Sequence, residues 1–201
     1  MEDVYQTIEK ECQGYFKDKG SKFYAFAFPV NNENEVKEIL ALLRKEHYSA
    51  RHHCYAWRIG TENIIFRAND DGEPSSTAGK PILGQLQSFN VTNILIVVVR
   101  YFGGTLLGVT GLINAYRNAA ADALKNAEIK QKIIQREVIL DFTYTELAEV
   151  MNIVKQENLA IVKTQFEERC QLIFSVRKSG EEKVSQAFGN IYGVKIRKSP
   201  I

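Results

Sequence analysis

The chain has 201 residues, of which 45% are hydrophobic and 25% charged, and this ordinary globular composition argues against disorder. Its net charge of +2 excludes a strongly basic nucleic-acid module, so any nucleic-acid contact has to come from a local patch. Three scattered cysteines without a CxxC pair support neither a disulfide framework nor a zinc site. The longest strongly apolar run, Ile94 to Val99, is too short to span a bilayer. We therefore expect a cytoplasmic protein with no membrane span, no metal and no cofactor.

The first two thirds of the chain mix strand and helix patterns. Phe and Ala fill both faces of a strand at 22–30, and Asn32 with Glu35 is typical of a capped helix start. The β-branched run at 93–102 predicts a strand that is covered on both faces. The predicted elements in chain order are a strand at 22–30, a helix after Asn32, strands at 54–59 and 64–66, a short helix after Pro81, a strand at 93–102 and a helix whose buried face runs from Val109 to Leu124.

The last third of the chain reads as a βαββαβ unit. Its predicted elements are strands at 137–144, 160–167, 169–177 and 193–198, with helices at 146–158 and 181–192. This order implies a four-stranded antiparallel sheet with two helices on one face, the ferredoxin-like arrangement. The predicted fold class is therefore α+β, with one domain at 1–133 and a second at 134–201.

A polar loop at residues 68–81 lies between apolar segments and carries an unusual density of functional groups. Three carboxylates, three hydroxyls and one amine fall within eleven residues, and they belong to Asp70, Asp71, Glu73, Ser75, Ser76, Thr77 and Lys80. Loops held on a rigid scaffold are common binding sites, and backbone amides near a helix start can bind phosphate. We interpret the polar loop as a binding site in which the amides of 78–80 and the Lys80 amine face an anion.

A second loop, the glycine loop at residues 100–104, ends the most apolar strand with the sequence Arg-Tyr-Phe-Gly-Gly. An Arg beside two aromatic residues suits phosphate contact together with base stacking. We expect the two loops to meet in one cleft in which Lys80 and Arg100 border a common hollow. The candidate binding residues are Asp70, Asp71, Glu73, Ser76, Thr77, Gly79, Lys80, Arg100, Tyr101, Phe102, Gly103 and Gly104; no catalytic or metal-binding residue is assigned.

Each motif also has a plainer reading. The carboxylates and hydroxyls of the polar loop can cap the helix, and Asp71 or Glu73 can pair with Arg100. The spacing from Gly72 to Lys80 breaks the P-loop pattern, and the later glycines match a dinucleotide fingerprint only faintly. The segment His52-His53-Cys54 on a strand favours a structural role, because neighbouring side chains point to opposite faces.

The combined motifs resemble the IMPACT/YigZ family. The resemblance rests on the polar loop, on Val98 to Gly104 with the helix that follows, and on the blocks at 19–23 and 52–56. It implies an N-terminal ribosomal-protein-type βαβ fold, similar to domain IV of elongation factor G, and a ferredoxin-like C-terminal domain. It also implies that eukaryotic relatives regulate translation under amino-acid starvation.

The leading functional hypothesis is a translation-associated binding protein. Its partner is RNA, the ribosome or a translation-associated protein, with Lys80 and Arg100 on phosphate or acidic groups and the two aromatics stacking or acting as an apolar anchor. The alternative is a hydrolase or transferase acting on a small phosphorylated or peptide-like substrate. In that alternative Asp71 and Glu73 share a proton or hold Mg²⁺.

Overall fold

The apolar run expected to be a covered strand is the central strand of a five-stranded sheet in a computed structural model, which describes residues 3–198. Every strand pair in this sheet is antiparallel, and the strand order is β2-β3-β6-β4-β5. The elements of this part of the chain are β1 (Val4–Ile8), β2 (Cys12–Asp18), β3 (Ser21–Pro29), α1 (Glu33–Glu46), β4 (His52–Ile59), β5 (Ile65–Asn69), α2 (Gly79–Ser88), β6 (Ile94–Tyr101), α3 (Gly108–Asn126) and β7 (Ile129–Ile133).

Helices cover both faces of the sheet. On one face, α2 and α3 pack on the alternate residues of β3, β4 and β6, and the small side chains of α3 let that helix lie close to the strands. On the other face, α1 places Val36, Leu40 and Leu43 against β4 and β6. Because helices pack on both faces of β6, its residues from Ile94 to Arg100 are all buried. The sequence predicts this burial correctly.

Strand β2 was not predicted, and it forms an edge of the sheet. It pairs with β3 through a turn at Lys19 and Gly20, both of which have positive φ. Two side chains of α3 cover its outer edge: Asp122 accepts a hydrogen bond from the Tyr15 N–H at 2.9 Å, and Asn126 donates to the Gln13 carbonyl at 2.9 Å. These contacts satisfy groups that an edge strand otherwise leaves open to pairing.

The chain divides into two units. One is Tyr5–Lys132, and the other contains, of the described residues, Asp3, Val4 and 133–198. Asp3 belongs to the second unit, whereas the sequence predicted a first domain at 1–133 that includes it. Its carbonyl accepts a hydrogen bond from the Ile134 N–H at 2.7 Å, and its carboxylate accepts one from the Ser179 N–H at 2.8 Å. Local sequence patterns carry no signal for such long-range contacts.

The second unit has the predicted order of elements. They are β8 (Gln135–Phe142), α4 (Leu147–Gln156), β9 (Ala160–Phe166), β10 (Cys170–Arg177), α5 (Glu181–Gly189) and β11 (Lys195–Lys198). The sheet is antiparallel in the order β11-β8-β10-β9, and both helices contribute to one core with β8 and β10. The structure is thus a mixed α/β protein. The ribosomal-protein-type and ferredoxin-like names for its two units stay predictions. Within residues 3–198, no helix has the length and apolar character needed to cross a membrane.

Two glycines provide a test of the packing between α3 and the sheet. A Cβ at Gly14 of β2 would overlap the backbone nitrogen of Ala123, whereas a Cβ at Gly84 of α2 would meet nothing within 4 Å. We expect Gly14→Ala to lower the free energy of unfolding by about 2 kcal/mol or more, because the helix has to move away. Gly84→Ala should leave it unchanged or raise it by about 0.5–1 kcal/mol. Urea unfolding of both variants tests this, and equal effects would contradict the close packing.

Candidate functional site

The Asp70 carboxylate accepts three backbone hydrogen bonds from the polar loop and the start of α2. Its Oδ1 accepts hydrogen bonds from the backbone N–H groups of Ala78 at 3.0 Å and Gly79 at 2.8 Å. Its Oδ2 accepts one from the N–H of Ser76 at 2.8 Å. The start of α2 has no side-chain cap from Ala78, so Asp70 supplies the capping carboxylate from across the loop.

This geometry corrects the predicted anion site at 78–80. The N–H groups of Ala78 and Gly79 already donate to Asp70, so they do not face an external phosphate. The position of Gly79 also has a packing cause, since a Cβ there would lie 2.5 Å from the backbone nitrogen of Asn69. Thr77 donates its hydroxyl to the Pro74 carbonyl at 2.6 Å. The Thr77 hydroxyl and the Asp70 carboxylate therefore bond to backbone groups of the loop and of the helix start.

Asp71 ties the loop to β4 and α1. Its Oδ2 accepts a hydrogen bond from the His53 backbone N–H at 2.6 Å, and its Oδ1 lies 3.2 Å from an Arg44 guanidinium nitrogen. Asp71 has a φ of +41°, which an Asp tolerates better than most residues. The Asn69 side chain supports this turn by accepting a hydrogen bond from the Asp71 N–H at 2.8 Å.

Glu73 and Arg100 form a buried ion pair that joins the two loops. Arg100 Nη1 donates to Glu73 Oε1 at 2.6 Å, and only 7% and 4% of the respective side chains are exposed. The Tyr116 hydroxyl of α3 donates to the same carboxylate oxygen at 2.7 Å. The Arg100 guanidinium also lies 5.5 Å from the centre of the Phe23 ring and 5.6 Å from that of Phe102.

The ion pair corrects the role expected for Arg100. A guanidinium that is buried and bonded to Glu73 does not stand free to contact phosphate in the solvent. Lys80 is exposed at the start of α2, and it is absent from the described residues that line the cavity beside Arg100. The two cations therefore do not border the common hollow that the sequence predicted. The plainer alternative, in which Glu73 pairs with Arg100, is the observed one.

The two aromatic side chains of the glycine loop differ in their surroundings. Tyr101 lies on the α1 face, where its hydroxyl is 2.8 Å from His47 Nδ1, whereas Phe102 is 52% exposed. Gly103 packs against the β2–β3 turn so closely that a Cβ would overlap the carbonyl carbon of Gly20. Gly104 has a φ of +86° and open space around it. Gly103 thus serves packing and Gly104 serves the turn.

A cavity of about 470 Å³ lies where the two loops meet the start of α3. Glu73 and Arg100 lie among its lining, and Arg51 and His52 add polar groups. Most of the remaining wall is apolar and comes from Pro74, Phe102, Leu106, Leu107, Val109 and Leu112. Three of these residues form an exposed apolar collar, since Phe102, Leu106 and Val109 are 52%, 83% and 58% exposed.

The carboxylates of the polar loop do not converge on a common point. Asp71 is directed to β4 and α1, and Glu73 to Arg100 and Tyr116, so the two do not share a proton. Within 3–198, no cluster of three or more His, Cys, Asp or Glu residues has metal-binding geometry. Burial raises the pKa of the Cys54 thiol, whose sulfur lies 3.0 Å from the Asp70 carbonyl oxygen.

Sequence reasoning missed two partners in this network. The periodicity of α3 predicts that Tyr116 is buried, but it does not show that the Tyr116 hydroxyl donates a hydrogen bond to Glu73. A tyrosine within a stripe of alanines is the available signal, because a buried hydroxyl needs a partner. Arg44 on α1 gave no signal, since an exposed arginine at a helix end is common and its pairing with Asp71 depends on the tertiary fold.

Comparison with known proteins places the chain in a family. The family model of the Impact N-terminal domain matches residues 19–124. The IMPACT family member YvyE of Bacillus subtilis (strain 168) is 32% identical over 184 residues, which cover 92% of this chain and 83% of that protein. The chain belongs to the IMPACT family.

Two further relatives match different shares of this chain. Protein IMPACT of Rattus norvegicus is 40% identical over 96 residues, which cover 45% of this chain and 30% of that protein. A crystal structure described as that of a hypothetical protein is 27% identical, with a TM-score of 0.73, and the match covers 100% of this chain and 99% of the other.

Removal of the Asp70 carboxylate tests its capping role. We expect Asp70→Ala to lower the free energy of unfolding by about 2 kcal/mol or more, because three N–H groups lose a charged acceptor. Asp70→Asn, which keeps one acceptor oxygen, should cost less. Urea unfolding measures both. If Asp70→Ala matches the wild type, the capping role is wrong.

His53 should make stability depend on pH. Burial lowers the pKa of His53 below its ordinary value of 6.5, although the nearby Asp71 carboxylate raises it in part. Near pH 6 the unfolded chain therefore binds more protons at this position than the folded protein does. We expect the stability contributed by neutral His53 to be complete above about pH 6.5 and to be lost as the pH falls below it. Thermal unfolding from about pH 7.5 to 5.5 should show a smaller decline for His53→Gln than for the wild type. Parallel declines would contradict this assignment.

Proposed function

We propose that this protein is a non-catalytic, translation-associated binding protein, which contacts RNA, the ribosome or a translation factor through the cavity between the polar loop and the glycine loop. Family membership supports the association with translation, because the resemblance implies that eukaryotic relatives regulate translation. The shared region covers 45% of this chain and less than a third of Protein IMPACT.

The exposed apolar collar carries the proposal. Phe102, Leu106 and Val109 lie around a cavity in which the two buried charged groups, Glu73 and Arg100, are paired with each other. Exposed apolar side chains clustered around a hollow are typical of a surface that another protein covers. Of the three partner classes, the collar therefore favours a protein, such as a translation factor or a protein of the ribosome, that inserts an apolar side chain.

The loop network supports binding in a second way. The loop is fixed to α2 by Asp70, to β4 and α1 by Asp71, and to β6 and α3 by Glu73. A preorganised wall loses little conformational freedom when a partner binds. The many polar groups of the loop thus contribute by holding the cavity open and rigid.

Charge substitutions in the collar test the proposal. We expect Leu106→Asp and Val109→Asp each to weaken binding to purified ribosomes or to individually purified translation factors by about tenfold or more, because a carboxylate replaces a buried apolar contact. Co-sedimentation with ribosomes and titration with each factor measure the affinity.

Leu42→Asp is the matched control, because Leu42 is a leucine 51% exposed on α1 of the same unit and away from the cavity lining. The proposal fails if the wild type binds no ribosome and no factor. It also fails if the collar variants bind as tightly as Leu42→Asp.

A further inference from the structure

An aromatic face lies on the α1 side of the sheet, and none of the three tyrosines that define it lines the cavity. We define it by Tyr15, Tyr24 and Tyr101, which come from the neighbouring strands β2, β3 and β6. Tyr15 lies directly opposite Tyr24, with ring centres 5.0 Å apart, and the Tyr24 and Tyr101 rings are 5.9 Å apart. The β2 part of this face is open, because the apolar cluster around α1 takes residues from β3, β4 and β6 and includes none from β2.

Two lysines flank the aromatic face. Lys17 lies opposite Lys22, and Lys22 lies opposite Tyr101, so both side chains point to the same side as the tyrosines. Both lysines are exposed, and neither takes part in an ion pair with another residue of the described range. No carboxylate interrupts this side of the two strands, whose described residues there are Gln13, Tyr15, Lys17, Lys22, Tyr24, Phe26 and Phe28.

A hollow adjoins the aromatic face at one end. It has a volume of about 460 Å³ and is lined by Gly20, Lys22, Tyr24, His47, Tyr101 and Phe102. A hydrogen bond joins two of these lining side chains, His47 and Tyr101. The surface therefore offers aromatic rings, a recess beside them and ammonium groups at its rim.

We propose that this face binds single-stranded RNA. Aromatic side chains on an open sheet stack on unpaired bases, and lysines at the rim contact the phosphates between them. Charge complementarity favours this occupant, because the face carries cations without carboxylates on a chain whose net charge is only +2. A duplex hides its base faces within the helix, so the face should prefer a single strand. The inference does not depend on the cavity of the proposed function.

Fluorescence anisotropy of the full chain with a labelled, mixed-sequence single-stranded RNA of about a dozen nucleotides tests the proposal. We expect Tyr15→Leu to weaken binding by about 5- to 100-fold, because the stacking surface is lost while the apolar bulk remains. Tyr15→Phe should bind as the wild type does. Since Tyr15 is 43% exposed, both substitutions should leave the fold intact.

The salt dependence tests the lysines. With two phosphate contacts, the log–log slope of affinity against salt should be about −1.4, and Lys17→Gln with Lys22→Gln should bring it close to zero. Tyr192→Ala and Lys37→Gln are matched controls, since Tyr192 is 98% exposed in the other unit and Lys37 is exposed on α1.

Three results would overturn the proposal: no wild-type binding at about 100 µM protein in low salt, equal affinity for Tyr15→Leu and Tyr15→Phe, or tighter binding of the matching duplex. Failure of RNA binding would leave the effects of Leu106→Asp and Val109→Asp on ribosome or factor binding untouched. The two proposals therefore fail separately.

Discussion

The buried ion pair between Glu73 and Arg100 connects the polar loop, the central strand and α3. Two ionised groups removed from water are tolerated only when each finds a close partner, and here Tyr116 supplies a further hydrogen bond to the carboxylate. Because both residues of the pair line the cavity, the bond between them holds the polar loop beside the end of β6 from which Phe102 of the collar follows. The other two loop carboxylates have contacts of their own, Asp70 with the N–H groups at the start of α2 and Asp71 with β4 and α1.

In the sequence, the polar loop resembles a binding or catalytic site, because its composition does not show which groups its side chains form hydrogen bonds with. Asp70 accepts hydrogen bonds from the N–H groups of Ser76, Ala78 and Gly79, and Asp71 accepts one from a backbone N–H of β4, so both carboxylates bind amides of the protein itself. Binding then depends on the apolar residues around the loop. This division explains why a dense set of polar groups and an apolar cavity occupy the same corner of the sheet.

The sequence predicted the central strand, the capped start of α1 and the βαββαβ order well, because each rests on local periodicity or on a local hydrogen bond. It missed β2, whose half-buried pattern is weak, and the pairing of Asp3 with Ile134, which joins distant residues. The sequence left the partner of Arg100 open among phosphate, Asp71 and Glu73, since only the fold decides whether a strand-end side chain turns inward. The sequence did not predict the aromatic face either, because strand register alone makes neighbours of Tyr15, Tyr24 and Tyr101.

A double-mutant cycle on Glu73 and Arg100 tests the central claim most directly. Glu73→Gln and Arg100→Met should each lower the free energy of unfolding by about 3–5 kcal/mol, because each leaves a buried charge without its partner. The double variant should be destabilised by much less than the sum of the two, since no unpaired charge remains. Single effects below about 1 kcal/mol that simply add would show that the pair does not hold the loops together.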